Sequence, residues 1–341
     1  MRLAMRLTCA ALLAAALPTA TSTAQDAPFY KGKQIRIVIS AGVAGGYNEY
    51  ARLLAAHMGD HIAGKPDFIV QSMPGAGGLL ATNYLYSQAP QDGTTIGLIH
   101  SSVPLAPLFG TAGARFDPLK IHWIGSMDRS DGPCTAWHTS PVKTWADLLQ
   151  TQFIVGSSGV GSQMDIYPAM LNKLFGTRIK VIGGYKAGSD IDLAMERGEI
   201  DGRCGTHLTT YKSLHPAWMA ERKIILPVLV AEKRRADYPD TPTVMEFVKD
   251  TTTRQQLELV MITQNVDRPV LAPPGTPAER VKELRDGLMA TLADSAFLAE
   301  IEKKNLFVDP VPGEQMAREF AKAFAFPPEI IAAVRETMGV K

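Results

Sequence analysis

The chain has 341 residues, a formal net charge of +1, 46% hydrophobic and 20% charged residues. That is the balance of an ordinary globular protein, with enough chain for one large or two medium cores; it excludes a disordered or fibrous class. The basic run Lys233–Arg235 is soon followed by acidic residues, so no positive surface suited to nucleic acid is expected.

Residues 1–24 carry Arg2 and Arg6, an apolar stretch from Leu7 to Leu17 and the small-residue run Ser22–Ala24. This is the pattern of a secretory signal peptide, and the apolar stretch is shorter than the roughly 20 residues that span a bilayer. Cleavage near Gln25 removes two positive charges and leaves a soluble chain of about −1, expected to act in the periplasm. Cys134 and Cys204 then remain. In an oxidising compartment they form one disulfide or stay as two separate buried thiols. A bridge closing a loop of about 70 residues would stabilise the fold by roughly 4 kcal/mol.

In chain order, residues 34–39 read as a strand, the glycine-rich run 40–46 as a loop and 47–58 as a helix with Tyr50, Leu53, Leu54 and Met58 on one face. Strand 67–71, loop 73–78 and helix 79–88 repeat the unit, and 94–100 is a third strand. Residues 122–139, with Gly125, Gly132 and Pro133, read as a crossing. A second region follows the same order: strand 153–156, loop 157–162, helix 163–175, strand 180–183, loop 185–188 and helix 190–197, with Ser189 as N-cap. Segments 201–205 and 224–231 complete its strands. Residues 241–244 and 256–264 read as the return, 269–277 as a proline-rich connector, then helices 278–292 and 314–326. Alternation of this kind predicts parallel sheets flanked by helices, with ligands at the strand-end loops.

The loops at 40–48, 74–79 and 157–163 each place backbone N–H groups at a helix start, where an anion is favoured. Small neutral side chains accompany them, among them Ser101, Ser102, Ser157, Ser162 and Gln163. Neither a P-loop ending nor the dinucleotide G-x-G-x-x-G spacing is present. Tyr47 and Tyr185 either wall a pocket or pack ordinarily. Asp190 either stabilises its helix start or accepts a bond from a ligand. No nucleophile elbow occurs, and Cys204 near His207 suggests a thiol enzyme only if Cys204 is free. His57 and His61 lack the intervening glutamate of a metalloprotease, so no metal and no cofactor are expected.

Ordered landmarks then become specific: 33–38, the 41–46 loop, Ala51-Arg52-Leu53, Pro74–Gly78, Ala89–Thr94, Val142–Leu148, Gly159–Ser162, Tyr185–Gly188, Gly198–Gly202 and Leu271–Pro277. This set resembles the periplasmic solute-binding proteins of tripartite tricarboxylate transporters, the Bug and TctC group. The resemblance implies an α/β, two-lobed periplasmic binding protein fold (type II-like) with a central ligand cleft. Residues 25–132 would begin lobe one, 133–249 form lobe two, and 250–341 return to lobe one and end in a helical segment. It implies a monomeric, non-enzymatic receptor for a small organic carboxylate, delivering it to a two-component membrane permease. An exported hydrolase or a sensor for a membrane receptor is the alternative. Expected ligand contacts are Ala41, Gly45, Gly46, Tyr47 and Asn48, with Ser101 and Ser102, on one side. Opposite them are Ser157, Gly161, Ser162, Gln163, Tyr185, Ser189 and Asp190. The chain departs from the family pattern at Tyr47-Asn48-Glu49, where further glycine and an aspartate are usual, and at Gln163-Met164.

Overall fold

The computed structural model describes residues 27–129, 132–159 and 161–338. The signal-peptide reading of residues 1–24 lies outside the described residues.

Among the described residues, eleven strands build two sheets. β1 (Gln34–Ile39), β2 (Asp67–Ser72), β3 (Thr95–Leu98), β4 (His122–Asp128), β10 (Asp267–Ala272) and β11 (Val311–Pro312) form the first, in the order β11-β4-β10-β3-β1-β2. The second has β5 (Pro133–Trp137), β6 (Phe153–Gly156), β7 (Ile179–Ile182), β8 (Gly202–Cys204) and β9 (Ile224–Leu229), in the order β7-β6-β8-β5-β9. β1 runs parallel to β2 and β3, and β6 parallel to β7 and β8. These pairs arise from strand–loop–helix units that return to the same edge.

The purely parallel expectation is corrected elsewhere in both sheets. β10 is antiparallel to β3 and β4, and β5 is antiparallel to β8 and β9. Residues 122–139 pass from the first sheet to the second, and they do so as two buried strands, β4 and β5. Gly125 is a packing requirement rather than a break: a Cβ there would stand 2.9 Å from Leu288 and 3.1 Å from the Val311 carbonyl. The supposed connector at 269–277 begins inside β10, a fully buried central strand. Pro269 fits there because β10 pairs with β3 only from Val270 onward. Residues 251–261 of the return form a helix, Thr251–Met261.

Helix Gly46–His57 covers the first sheet with Tyr50, Leu53 and Leu54, joined by Leu284 and Leu288 of helix Ala278–Ala293. Phe320 of helix Gly313–Phe324 packs on Trp123 of β4, ring centres 4.6 Å apart. The last helix, Pro328–Thr337, packs against Thr251–Met261 and reaches helix Gln163–Phe175 of the second region, where Lys173 meets Glu336 at 2.9 Å. Cys134 of β5 and Cys204 of β8 are register partners, both fully buried, and are joined as a disulfide with their Cα atoms 3.9 Å apart. No helix among the described residues is long and apolar enough to cross a membrane.

Candidate functional site

The loop after β1 ends at Gly45, whose φ of 94° is left-handed, and this turns the chain into helix Gly46–His57. Its first N–H groups have no carbonyl one turn back to bond. The loop before them meets loops of the second region, a Cβ on Gly45 standing 3.5 Å from the Gly188 nitrogen. Gly42 N–H donates to the Lys186 carbonyl at 3.1 Å, and a Cβ on Gly42 would meet that carbonyl and Ala187 Cβ at 3.0 Å each. Ser102 Oγ donates to the Gly161 carbonyl at 2.8 Å. Between these contacts lies a cavity offering about 80 Å³ to the centres of water molecules, room for several waters or a short acid.

Ala41, Gly45, Gly46, Tyr47, Ser101, Ser102, Ser162 and Gln163 all line it. The remaining expected contacts do not, each for a local reason. Asn48 lies one step further round the helix and lines a separate surface hollow with Arg52 and Phe68. Ser157 bonds the Ser162 hydroxyl and the Gly159 N–H, and it is Ser158 that lines the cavity. Gly161 turns its carbonyl to Ser102. Tyr185 packs with the Trp137 and Trp218 cluster. Ser189 is not an N-cap: helix Gly188–Glu196 starts two residues earlier than expected, with Ala187 as cap. Asp190 serves that start, its Oδ2 accepting the Lys186 and Ala187 N–H groups at 3.2 and 3.0 Å. Of the three glycine loops, 74–79 stands outside the cavity. Its Gly77 carbonyl holds His100 Nδ1 at 3.0 Å, buttressing a lining residue from behind.

Sequence reasoning missed the charged groups. Arg268 and Arg203, 1% and 2% exposed, both line the cavity, with Asp192 and His207. Arg268 lies over the rings of Tyr50 and Tyr47 at 4.1 and 5.5 Å, and its Nη1 is 3.2 Å from Asp267 Oδ2. Its own φ of 55° is the left-handed conformation that a side-chain-bearing residue rarely adopts, and such strain gathers at functional positions. Arg203 Nη1 donates to the Gly188 carbonyl at 3.0 Å and stands 3.2 Å from Asp192 Oδ1. His207, just beyond β8, reaches across to Asp267 through Nε2, and its Nδ1 is 3.9 Å from Asp128 Oδ2. A usable signal existed: Arg203 and Asp267-Arg268 are the charged residues of otherwise apolar strand segments.

Burial dominates the electrostatics. It pushes the Asp128 carboxyl up to about 6 although Arg268 and His207 pull the other way. Burial raises Asp267 too, but His207, Arg268 and the Ser101 hydroxyl overcome it and hold that carboxyl well below the usual range. Burial lowers His100, which favours its neutral form, and raises Tyr47 far above its ordinary value. Asp128, His207 and Asp267 bring one donor atom each within 4.8 Å of one another, the spacing of a metal-binding group. Arg268 already supplies a positive charge there, so the cluster reads as an ion-pair network.

The fold is shared with known proteins. Periplasmic binding protein BugD superposes with a TM-score of 0.71 at 20% identity, covering 92% of this chain and 99% of its own. MatC from Rhodopseudomonas palustris, solved with bound malate, gives 0.68 at 19% identity, covering 90% and 99%. In sequence, a UPF0065 protein encoded in the gbd 5′ region of Cupriavidus necator is 26% identical over 322 residues, 90% of each chain. The family model of the tripartite tricarboxylate transporter family receptor, TctC, matches residues 50–325, and the chain belongs to that family of solute receptors rather than to any enzyme class.

Proposed function

We propose that the protein is a periplasmic receptor that captures a small organic carboxylate between its two lobes and delivers it to a two-component membrane permease. The observation that carries this reading is Arg268 beside the start of helix Gly46–His57. A Cβ placed on Gly46 would stand 3.5 Å from Arg268 Nη2 and 3.0 Å from Thr210 Oγ1, so the guanidinium lies beside the start of that helix in the wall of one cavity. Both prefer an anion, and a carboxylate bound there exchanges water for charge-assisted hydrogen bonds. Family membership supports the same reading, as does MatC, whose structure holds malate.

The reading is tested by titration calorimetry of organic acids against their uncharged amides, on wild type and on Arg268→Gln. Acids should bind and amides should not, and the variant should lose about 1.5–3 kcal/mol, roughly ten- to hundredfold in affinity. Equal binding of acid and amide would remove the carboxylate from the proposal. Delivery is tested by uptake of the bound acid into vesicles bearing the permease, which should require this protein. Recovery of a chemically altered acid would instead indicate an enzyme.

A further inference from the structure

His100 sits just beyond β3 and is a half-buried residue of the cavity lining. Two bonds fix it: its main-chain N–H donates to Ser40 Oγ at 2.9 Å, and its ring Nδ1 lies 3.0 Å from the Gly77 carbonyl. A carbonyl oxygen can only accept, so Nδ1 carries the proton of that bond. Burial favours the neutral ring, and a neutral imidazole has one N–H. Nε2 therefore keeps a bare lone pair. It makes no hydrogen bond among the described residues. Gly77 belongs to the loop behind the ring, so Nε2 points away from that loop, toward the cavity that His100 lines. Tyr47 meets the ring edge-on, centres 4.8 Å apart, and itself lies 5.5 Å from Arg268, so His100 and Arg268 flank one tyrosine in the cavity lining. A Cβ on Gly78 would stand 3.2 Å from Nδ1. The glycine run 74–79, itself outside the cavity, thus seats the ring and sets its tautomer.

We propose that His100 Nε2 accepts a hydrogen bond from a hydroxyl on the bound acid, so that the cavity selects a hydroxy acid over the same acid without its hydroxyl. The inference rests on the carboxylate reading above, with the carboxylate beside Arg268 and the hydroxyl one tyrosine ring away. The serine and threonine hydroxyls of the wall do not discriminate in this way, because each rotates to donate or to accept. A bare imidazole nitrogen can only accept. An acid that brings a donor to it satisfies both groups, whereas an acid with a methylene there leaves the acceptor stripped of water and unbonded. An ammonium group would donate equally well, but its charge needs a buried carboxylate free to meet it. Asp192, the acidic residue of the lining, is engaged by both Arg203 and His215. A neutral hydroxyl is therefore the donor that fits.

Calorimetry on the full mature chain tests this with butyrate and its 2-, 3- and 4-hydroxy derivatives, and with phenylacetate and mandelate. At least one hydroxy acid should bind about tenfold or more tighter than its parent, the scale of one buried hydrogen bond gained against an acceptor left unmade. Parents binding as tightly as every hydroxy derivative overturns the selection and leaves the receptor reading intact. Absence of binding by all six acids overturns both. 3-Aminobutyrate should bind more weakly than 3-hydroxybutyrate, and the reverse order would overturn the hydroxyl in favour of an ammonium. His100→Asn, its fold checked by circular dichroism, keeps an amide donor on the side of Gly77 and leaves no atom where Nε2 stood. It should bring the ratio of hydroxy acid to parent close to one while changing the parent's affinity by no more than about threefold. An unchanged ratio in the folded variant overturns the role of His100. Nitrogen NMR of the unliganded wild type, with the His100 signals assigned by their loss in the variant, should show Nδ1 protonated and Nε2 bare. The opposite tautomer would remove the acceptor and with it the proposal.

Discussion

Asp128 shows how much of this site is settled by single buried groups. It is 1% exposed, its Oδ1 accepts the Arg129 N–H at 2.8 Å, and its Oδ2 has no hydrogen-bond partner among the described residues. Burial raises the carboxyl to about 6 against Arg268 and His207, with Asp267 adding to the rise. A carboxyl whose folded value lies above its unfolded value of 3.8 holds its proton more tightly in the native state. Its contribution to stability is therefore largest below that unfolded value and is lost as pH climbs through about 6. Asp128→Asn keeps the acceptor for Arg129 and removes the ionisation. Melting measured at pH 5 and pH 7.5 should show the variant gaining on wild type at the higher pH, by about 3 °C. An equal difference at both pH values would mean that Asp128 ionises at no cost to the fold.

At the level of elements, the loop from Ala41 to Gly46 joins local geometry to lobe contact. Gly42 is not there for a left-handed turn; it is there because the Lys186 carbonyl and Ala187 approach its Cα so closely. Gly42→Val should leave the first sheet intact while wedging the two loops apart. Calorimetry should show ligand affinity reduced about a hundredfold or more, with a melting temperature within a few degrees of wild type for a substitution at a loop contact. Retained affinity would show that the loops need not meet. Elements such as Gln34–Ile39 and Gln163–Phe175 were legible in the sequence because a local apolar run or helical period set them. β4, β5 and β10 were not. Their residues are glycine, proline and charge as much as apolar, and what makes them strands is the neighbour that each finds far along the chain. The site divides in the same way. Backbone loops with glycines announced themselves, whereas Arg203, His207, Asp267 and Arg268 acquire meaning only when two sheets bring them to one cavity.

The whole molecule is held together across the cleft by a few directional contacts, and a largely buried one is His207 with Asp267. His207 follows β8 of the second sheet and Asp267 opens β10 of the first, so this bond exists only while the lobes are together. Cys134–Cys204 differs in kind: both ends lie in the second sheet, and the bridge stabilises one lobe without restraining the motion between them. Ligand affinity depends on how much of the population already occupies the closed form, and weakening an interlobe bond lowers that fraction. His207→Ala should therefore shift small-angle scattering of the unliganded protein toward a larger radius and reduce affinity by about tenfold. Asp267→Asn should do the same and also loosen Arg268, and the double variant should cost little more than Asp267→Asn alone, because the bond to His207 is already lost there. Cys134→Ala with Cys204→Ala should lower the melting temperature yet leave the scattering radius of the folded protein unchanged. Additive losses from His207 and Asp267, with no change in radius, would locate their effect inside the pocket rather than in the closing of the lobes.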